Sequence, residues 1–151
     1  MEKIKILLAD DEKDIRDIMA KKIAQEGYTV ITAKDGQDAW EKIQSEDPDV
    51  VLLDLNMPKM DGFEVLQKLR QTPPSKKWQP VVIISARTEL QDMQRGFSLE
   101  ADHYLTKPCN INDILKAIKL MLNLIPQHKS HLEIQSEENK SAKKDDTKKA
   151  S

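Results

Sequence analysis

The sequence predicts an α/β domain, a (βα)5 chain wound on both faces of a parallel five-stranded sheet. Three observations predict it. Short apolar runs alternate with stripes of helical period over residues 4–122. The runs lack the in–out alternation of a half-exposed strand, as strands covered on both faces do. Four of them end in a residue suited to phosphate or a cation, at the edge where open α/β sheets place their ligands.

Taken in order, Ile4-Lys5-Ile6-Leu7-Leu8-Ala9 is the first strand and runs into Asp10-Asp11. Ile15, Ile18, Met19 and Ile23 recur at helical spacing, and Gly27 closes that helix. Tyr28-Thr29-Val30-Ile31-Thr32 is β-branched and reads as the second strand. Ala39, Trp40 and Ile43 mark the second helix, which cannot continue through Asp47-Pro48. Val50-Val51-Leu52-Leu53 leads into Asp54, and Phe63, Leu66 and Leu69 form the next stripe. Val81-Val82-Ile83-Ile84 leads into Ser85, followed by the stripe Leu90, Met93 and Phe97. His103-Tyr104-Leu105-Thr106 leads into Lys107-Pro108, and Ile111, Ile114, Leu115, Ile118, Met121 and Leu122 close the pattern. Core packing is the plain expectation for these stripes.

Composition narrows the function classes. The chain of 151 residues suits one folded domain, expected over 1–125. A formal net charge of −2 favours neither nucleic acid nor a membrane surface as partner. The single Cys109 excludes an internal disulfide framework, suits a reducing compartment and reads as a buried, inert thiol. No stretch approaches the ~20 apolar residues of a bilayer span, and the N-terminus lacks a signal-peptide core, so a cytoplasmic location is expected. In 126–151 only Leu132, Ile134, Ala142 and Ala150 are apolar, which predicts a charged, disordered tail. No internal repeat is present.

The strand ends carry the chemistry. Asp10, Asp11 and Asp54 are expected together at the tops of adjacent strands, where like charges repel unless a cation joins them. Hard divalent ions take oxygen ligands, so an acidic nest there suits Mg²⁺ (or Mn²⁺). Capping of the first helix by Asp10 or Asp11 is the competing account, but it leaves Asp54 unexplained. Lys107 supplies the counter-charge, either as a structural ion pair or as a mobile cation for a phosphoryl oxygen. Ser85 offers a hydroxyl to the same oxygen, and Pro108 allows a cis bond after Lys107.

These residues resemble the receiver domain of bacterial two-component response regulators, through Leu8-Ala9-Asp10-Asp11-Glu12, Asp54-Leu55-Asn56-Met57-Pro58-Lys59-Met60-Asp61-Gly62, Ser85-Ala86 and Tyr104-Leu105-Thr106-Lys107-Pro108. The resemblance spans roughly residues 3–124. It implies a flavodoxin-like receiver fold of strand order 2-1-3-4-5, with Asp54 accepting phosphate from a phosphohistidine. It implies Mg²⁺ on Asp11, Asp10, Asp54 and the Asn56 main-chain carbonyl. Lys107, Ser85 and the main chain at Ala86 would hold the phosphoryl group. Ser85 and Tyr104 would form the switch, the Tyr104 ring turning inward from a half-buried position. Asn56 and Arg87 fall where the family tunes phosphate lifetime.

Besides Arg87, a basic residue at the lifetime-tuning position, two features stand out. Glu100 lies where the family usually has Gly, so the turn into the fifth strand is expected to be altered. The segment Thr72-Pro73-Pro74-Ser75-Lys76-Lys77-Trp78-Gln79-Pro80 is long, with Trp78 read as a lid on the sheet bottom or a partner contact. A haloacid-dehalogenase phosphatase needs an acid two residues after its nucleophile, and Asn56 stands there instead. A flavodoxin needs a Ser/Thr/Gly-rich phosphate loop after the first strand, which is missing. The expectation is therefore a stand-alone phosphoacceptor switch rather than an enzyme. Its partners would be a sensor histidine kinase or histidine phosphotransfer protein and an unidentified protein target, with neither a DNA-binding domain nor a membrane. It would be a monomer or a weak, phosphorylation-dependent dimer. A phosphorylation-independent interaction module and an intermediate phosphate carrier stay open as alternatives.

Overall fold

In a computed structural model of the chain, residues 3–86 and 90–126 are described. The elements run β1 (Lys5–Ala9), α1 (Lys13–Gln25), β2 (Thr29–Ala33), α2 (Gly36–Glu46), β3 (Val50–Asp54), α3 (Gly62–Gln71), β4 (Val81–Ser85), α4 (Leu90–Ser98) and β5 (His103–Thr106). A fifth helix, α5, follows over 111–126. All strand pairs are parallel, in the order β2-β1-β3-β4-β5. Both the strand order and the alternation are those expected. Of the tail expected at 126–151, Pro126 is the last residue of α5 and 127–151 lie outside the described residues.

The sheet has a core on each side. Leu7, Val51, Leu53 and Ile83 face one way, against Ile43 of α2 and Phe63 and Leu66 of α3. Ile6, Leu8, Leu52 and Val82 face the other, against Ile23 of α1 and Ile114 and Ile118 of α5. β3 and β4 are buried at every position, which accounts for their unbroken apolar runs.

Two apolar stripes pack less than their period suggests. Ile15 and Ile18 of α1 are exposed, and so are Leu90 and Phe97 of α4. On those helices the buried stripe is narrower than the apolar one: Ile23 alone is buried on α1 and Gly96 alone on α4. Period identifies a helix but does not measure the width of its contact.

The helix ends follow local chemistry. Asp35 caps α2 by accepting the Asp38 N–H at 2.8 Å, and Asp61 caps α3 by accepting the Glu64 N–H at 2.9 Å. Removing such a cap costs about 1 kcal/mol. Asp61→Ala is expected to lower the urea-denaturation free energy by that amount, and an unchanged midpoint would count against the cap.

Glu100 takes φ 68°, so the left-handed turn before β5 is kept without glycine. The turn is held from outside. Arg70 donates through Nε to the Glu100 carbonyl at 3.0 Å, through Nη1 to the Gln79 carbonyl at 2.8 Å and through Nη2 to Asp102 Oδ2 at 2.9 Å. One guanidinium thus ties α3 to the start of β4 and to the α4–β5 turn, offsetting the cost of the left-handed residue. Trp78 is half-buried and lines a groove at this end of the sheet with Pro73, Lys76 and Arg70.

Candidate functional site

The parallel order sets the ends of β1, β3 and β4 side by side, with β5 flanking β4. Asp54 closes β3 and Ser85 closes β4; both are buried. Asp10 follows β1 and is also buried. The Lys107 N–H donates to the Ser85 carbonyl at 2.8 Å, extending the β4–β5 ladder by one residue. That bond brings Lys107 over the edge, and the Lys107–Pro108 peptide is cis.

The Lys107 ammonium bridges two carboxylates. Its Nζ lies 2.9 Å from Asp54 Oδ2 and 3.2 Å from Asp10 Oδ2. Burial alone would lower the ammonium's pKa, but the hydrogen bonds and charges of Asp54 and Asp10 overcome it and hold Lys107 above its ordinary value. Asp54 moves the opposite way from a simple ion pair. Burial pushes its carboxyl up, and Lys107 and the Asn56 N–H only partly offset that, while the Asp10 charge adds to it. The anionic form of Asp54 is therefore held at a cost, as a poised nucleophile is.

Asp10 is the hub of the loop after β1. Its Oδ1 accepts the Glu12 N–H at 2.9 Å, its Oδ2 faces Lys107, and its carbonyl accepts Arg16 Nη1 at 2.7 Å. Its own N–H donates to the Ala33 carbonyl at 3.1 Å. Capping is not its role: the N-cap of α1 is Glu12, which makes no side-chain cap bond.

Asp10, Asp11 and Glu12 bring carboxylate oxygens within 4.8 Å of one another, with Asp11 and Glu12 exposed. An all-oxygen, net-negative set open to solvent fits a hard divalent cation that keeps part of its water shell. Asp54 is not in this group and meets Asp10 through Lys107. Glu12 was visible in the motif but was not singled out from sequence, and Arg16 carried no sequence signal. Asn56 is exposed beside Asp54, and its N–H donates to Asp54 Oδ1 at 3.0 Å.

Ala86 is exposed at the same edge. Tyr104 is buried rather than half-buried and packs in the same core as Phe63, Met93 and Leu99. Its Cδ2 stands 3.7 Å from the place a Cβ on Gly96 would take, because α4 crosses closely there. Arg87 lies outside the described residues. Cys109 is partly buried, and burial raises its thiol pKa, in keeping with an inert side chain.

Residues 6–119 match the model of the response regulator receiver domain. The chain belongs to this family. A curated relative of this receiver domain is the alkaline phosphatase synthesis transcriptional regulatory protein PhoP of Bacillus subtilis, 39% identical over 118 residues. The match covers 78% of this chain and 48% of that protein, so the chain spans about half the length of this relative. Among solved structures, a CheY-like receiver domain protein from Methanospirillum hungatei aligns with TM-score 0.78 at 28% identity, covering 84% of this chain and 99% of the other. The chemotaxis protein CheY4 of Vibrio cholerae aligns with TM-score 0.74 at 32% identity, covering 80% and 99%. Among the described residues of this receiver domain, no helix is long and apolar enough to cross a membrane.

Proposed function

We propose that Asp54 accepts a phosphoryl group from the phosphohistidine of a sensor kinase or phosphotransfer protein. The single observation that carries this is the Lys107 ammonium set between the buried Asp54 and Asp10 at the C-terminal edge of the sheet. An Asp54 oxygen attacks phosphorus as the P–N bond of the donor breaks, and the imidazole nitrogen leaves with the bonding pair. Catalysis here is positioning and neutralisation of charge. Lys107 turns donors toward the incoming oxygens, the Asn56 N–H fixes the orientation of Asp54, and Ser85 and the exposed main chain at Ala86 border the same space. Asp10, Asp11 and Asp54, with the Asn56 carbonyl, would hold Mg²⁺, and Glu12 stands beside Asp10 and Asp11. That ion would supply charge neutralisation for the transfer. The product is an acyl phosphate that the chain keeps rather than turns over, which makes it a switch and not an enzyme.

The switch would act by docking a protein. α4 and α5 leave the apolar side chains Leu90, Phe97 and Leu120 exposed. α4 lies against Tyr104 at Gly96, so a shift at Ser85 and Tyr104 is felt on that surface.

Incubation with Mg²⁺ and acetyl phosphate tests the reading. Intact-mass spectrometry is expected to show one added phosphoryl group on the protein, none on Asp54→Asn and none without Mg²⁺. Equal labelling of Asp54→Asn and the unaltered chain would overturn the assignment.

A further inference from the structure

The N-terminal edge of the sheet, opposite Asp54, carries two adjoining grooves. The first lies at the foot of β2, β1 and β3, bordered by Thr29, Lys3, Asp49 and Lys77. The second, of about 540 Å³, lies at the foot of β4, with Leu69, Pro73 and Trp78 as its apolar wall and Arg70, Lys76 and Lys77 around it. Lys77 borders both, so the grooves form one track. Against three cationic side chains the second groove sets one carboxylate, that of Glu100. Arg70 and Lys77 are already paired with Asp102 and Asp49. Lys76 is exposed and makes no ion pair among the described residues, so it is the cation left over.

α5 delivers the chain to this same edge. It ends at Pro126, with Leu122 and Leu124 in the core that also holds Tyr28, just before β2. The sequence that follows lies outside the described residues and includes Leu132-Glu133-Ile134-Gln135-Ser136-Glu137-Glu138. From β2 across β1 and β3 to β4 is three strand spacings, about 14 Å. The six residues 127–132 can span about 20 Å when extended. Leu132 is therefore within reach of the foot of β4.

We propose that segment 132–138 of this chain docks in the second groove, with Leu132 and Ile134 against Trp78, Pro73 and Leu69, and its glutamates beside Lys76. The chemistry matches on both counts. Leu132 and Ile134 stand two apart and share one face of an extended chain, as an apolar wall requires. Glu133, Glu137 and Glu138 supply the carboxylates that the surplus of cations calls for. Tethering makes a modest contact sufficient, because a short linker holds the segment at an effective concentration on the order of mM. The groove lies at the edge away from Asp54, so this inference stands apart from the phosphoacceptor reading.

The test is carbodiimide crosslinking of the full chain at low concentration, which joins a lysine amine to a glutamate carboxyl with loss of water. Mass spectrometry of the monomer is expected to find bonds from Lys76 or Lys77 to Glu133, Glu137 or Glu138. The double variant Leu132→Asp, Ile134→Asp should lose those bonds. In the same variant the NMR signal of the Trp78 indole N–H should shift while that of Trp40, which is buried under α2, stays in place. Absence of the bonds from the monomer would overturn the proposal, and so would an unmoved Trp78 signal. Bonds kept at equal yield in the double variant would mark a charge encounter without docking and would also overturn it. Bonds confined to a dimer would assign the groove to a second copy instead.

Discussion

Asp54→Asn is expected to abolish phosphorylation and at the same time to raise stability at neutral pH. The two effects have one source. Asp54 is buried, and burial is the largest influence on its carboxyl, pushing its pKa above the ordinary aspartate value even with Lys107 and the Asn56 N–H pulling the other way. The folded state therefore holds the Asp54 proton more tightly than the unfolded state. Stability falls as pH rises from about 4, the unfolded value, through the raised folded one, and the full cost stands above it. Asparagine has nearly the same shape and keeps an acceptor for the Asn56 N–H, but it carries no charge to desolvate.

The melting temperature of Asp54→Asn should exceed that of the unaltered chain at pH 7, and the gap should close on acidification below about pH 4. Lys107 supplies a check at the other end. Its folded pKa is raised, so its contribution is complete below about pH 10 and is lost as pH rises through the folded value. With the Asp54 charge gone only Asp10 holds it, and the alkaline loss should shrink. A variant no more stable at pH 7 would mean that the Lys107–Asp54 pair outweighs desolvation.

How much of this was legible beforehand depends on range. β3 and β4 could be read because a strand covered on both faces leaves an unbroken apolar run, and 50–53 and 81–84 have no other simple explanation. Asp54, Ser85 and Lys107 could be read because a parallel sheet sends each strand end to the same edge. The metal-site geometry was less legible. Three aspartates were expected to converge, and Asp10 and Asp54 do meet on the Lys107 ammonium, but the place of Glu12 beside Asp10 and Asp11 was not foreseen. The meeting on Lys107 depends on side-chain reach across 53 and 97 residues of chain, which no local pattern encodes.

The apolar stripes show a second boundary. Ile18 and Leu90 fit their helical periods yet stand 54% and 69% exposed. A period records which residues share a face, not what lies opposite. Glu100 shows a third. Its identity argued for an altered turn, but Arg70, 30 residues earlier, supplies the bond that lets the turn keep its shape. Arg16 escaped notice for the same reason, since its partner is a main-chain oxygen and leaves no residue type to search for.

Gly36→Ala should be among the most damaging single-methyl changes available to this chain. Gly36 opens α2 immediately after the Asp35 cap, and its backbone presses on the β3–α3 loop, with its N–H 3.4 Å from the Pro58 carbonyl. A Cβ there would fall 1.7 Å from the Met60 carbonyl oxygen and 2.5 Å from its carbon. Those are backbone atoms and cannot rotate aside, so the helix end and the loop must part. Overpacking of this kind costs about 3 kcal/mol or more where the backbone has to move. The loop in question runs from Leu55 to Asp61, so its displacement should also disturb the Asn56 N–H that orients Asp54 and lower the rate of phosphorylation.

Gly27 is the matched comparison. It has φ 96°, and nothing lies within 4 Å of where its Cβ would stand, so alanine there meets only the left-handed backbone penalty of about 1 kcal/mol. Chemical denaturation and acetyl phosphate labelling of both variants separate the two kinds of glycine. Gly27→Ala should lose a little stability and label normally. Gly36→Ala should lose much more and label slowly, because at that position the missing side chain is what lets the start of α2 lie against the β3–α3 loop.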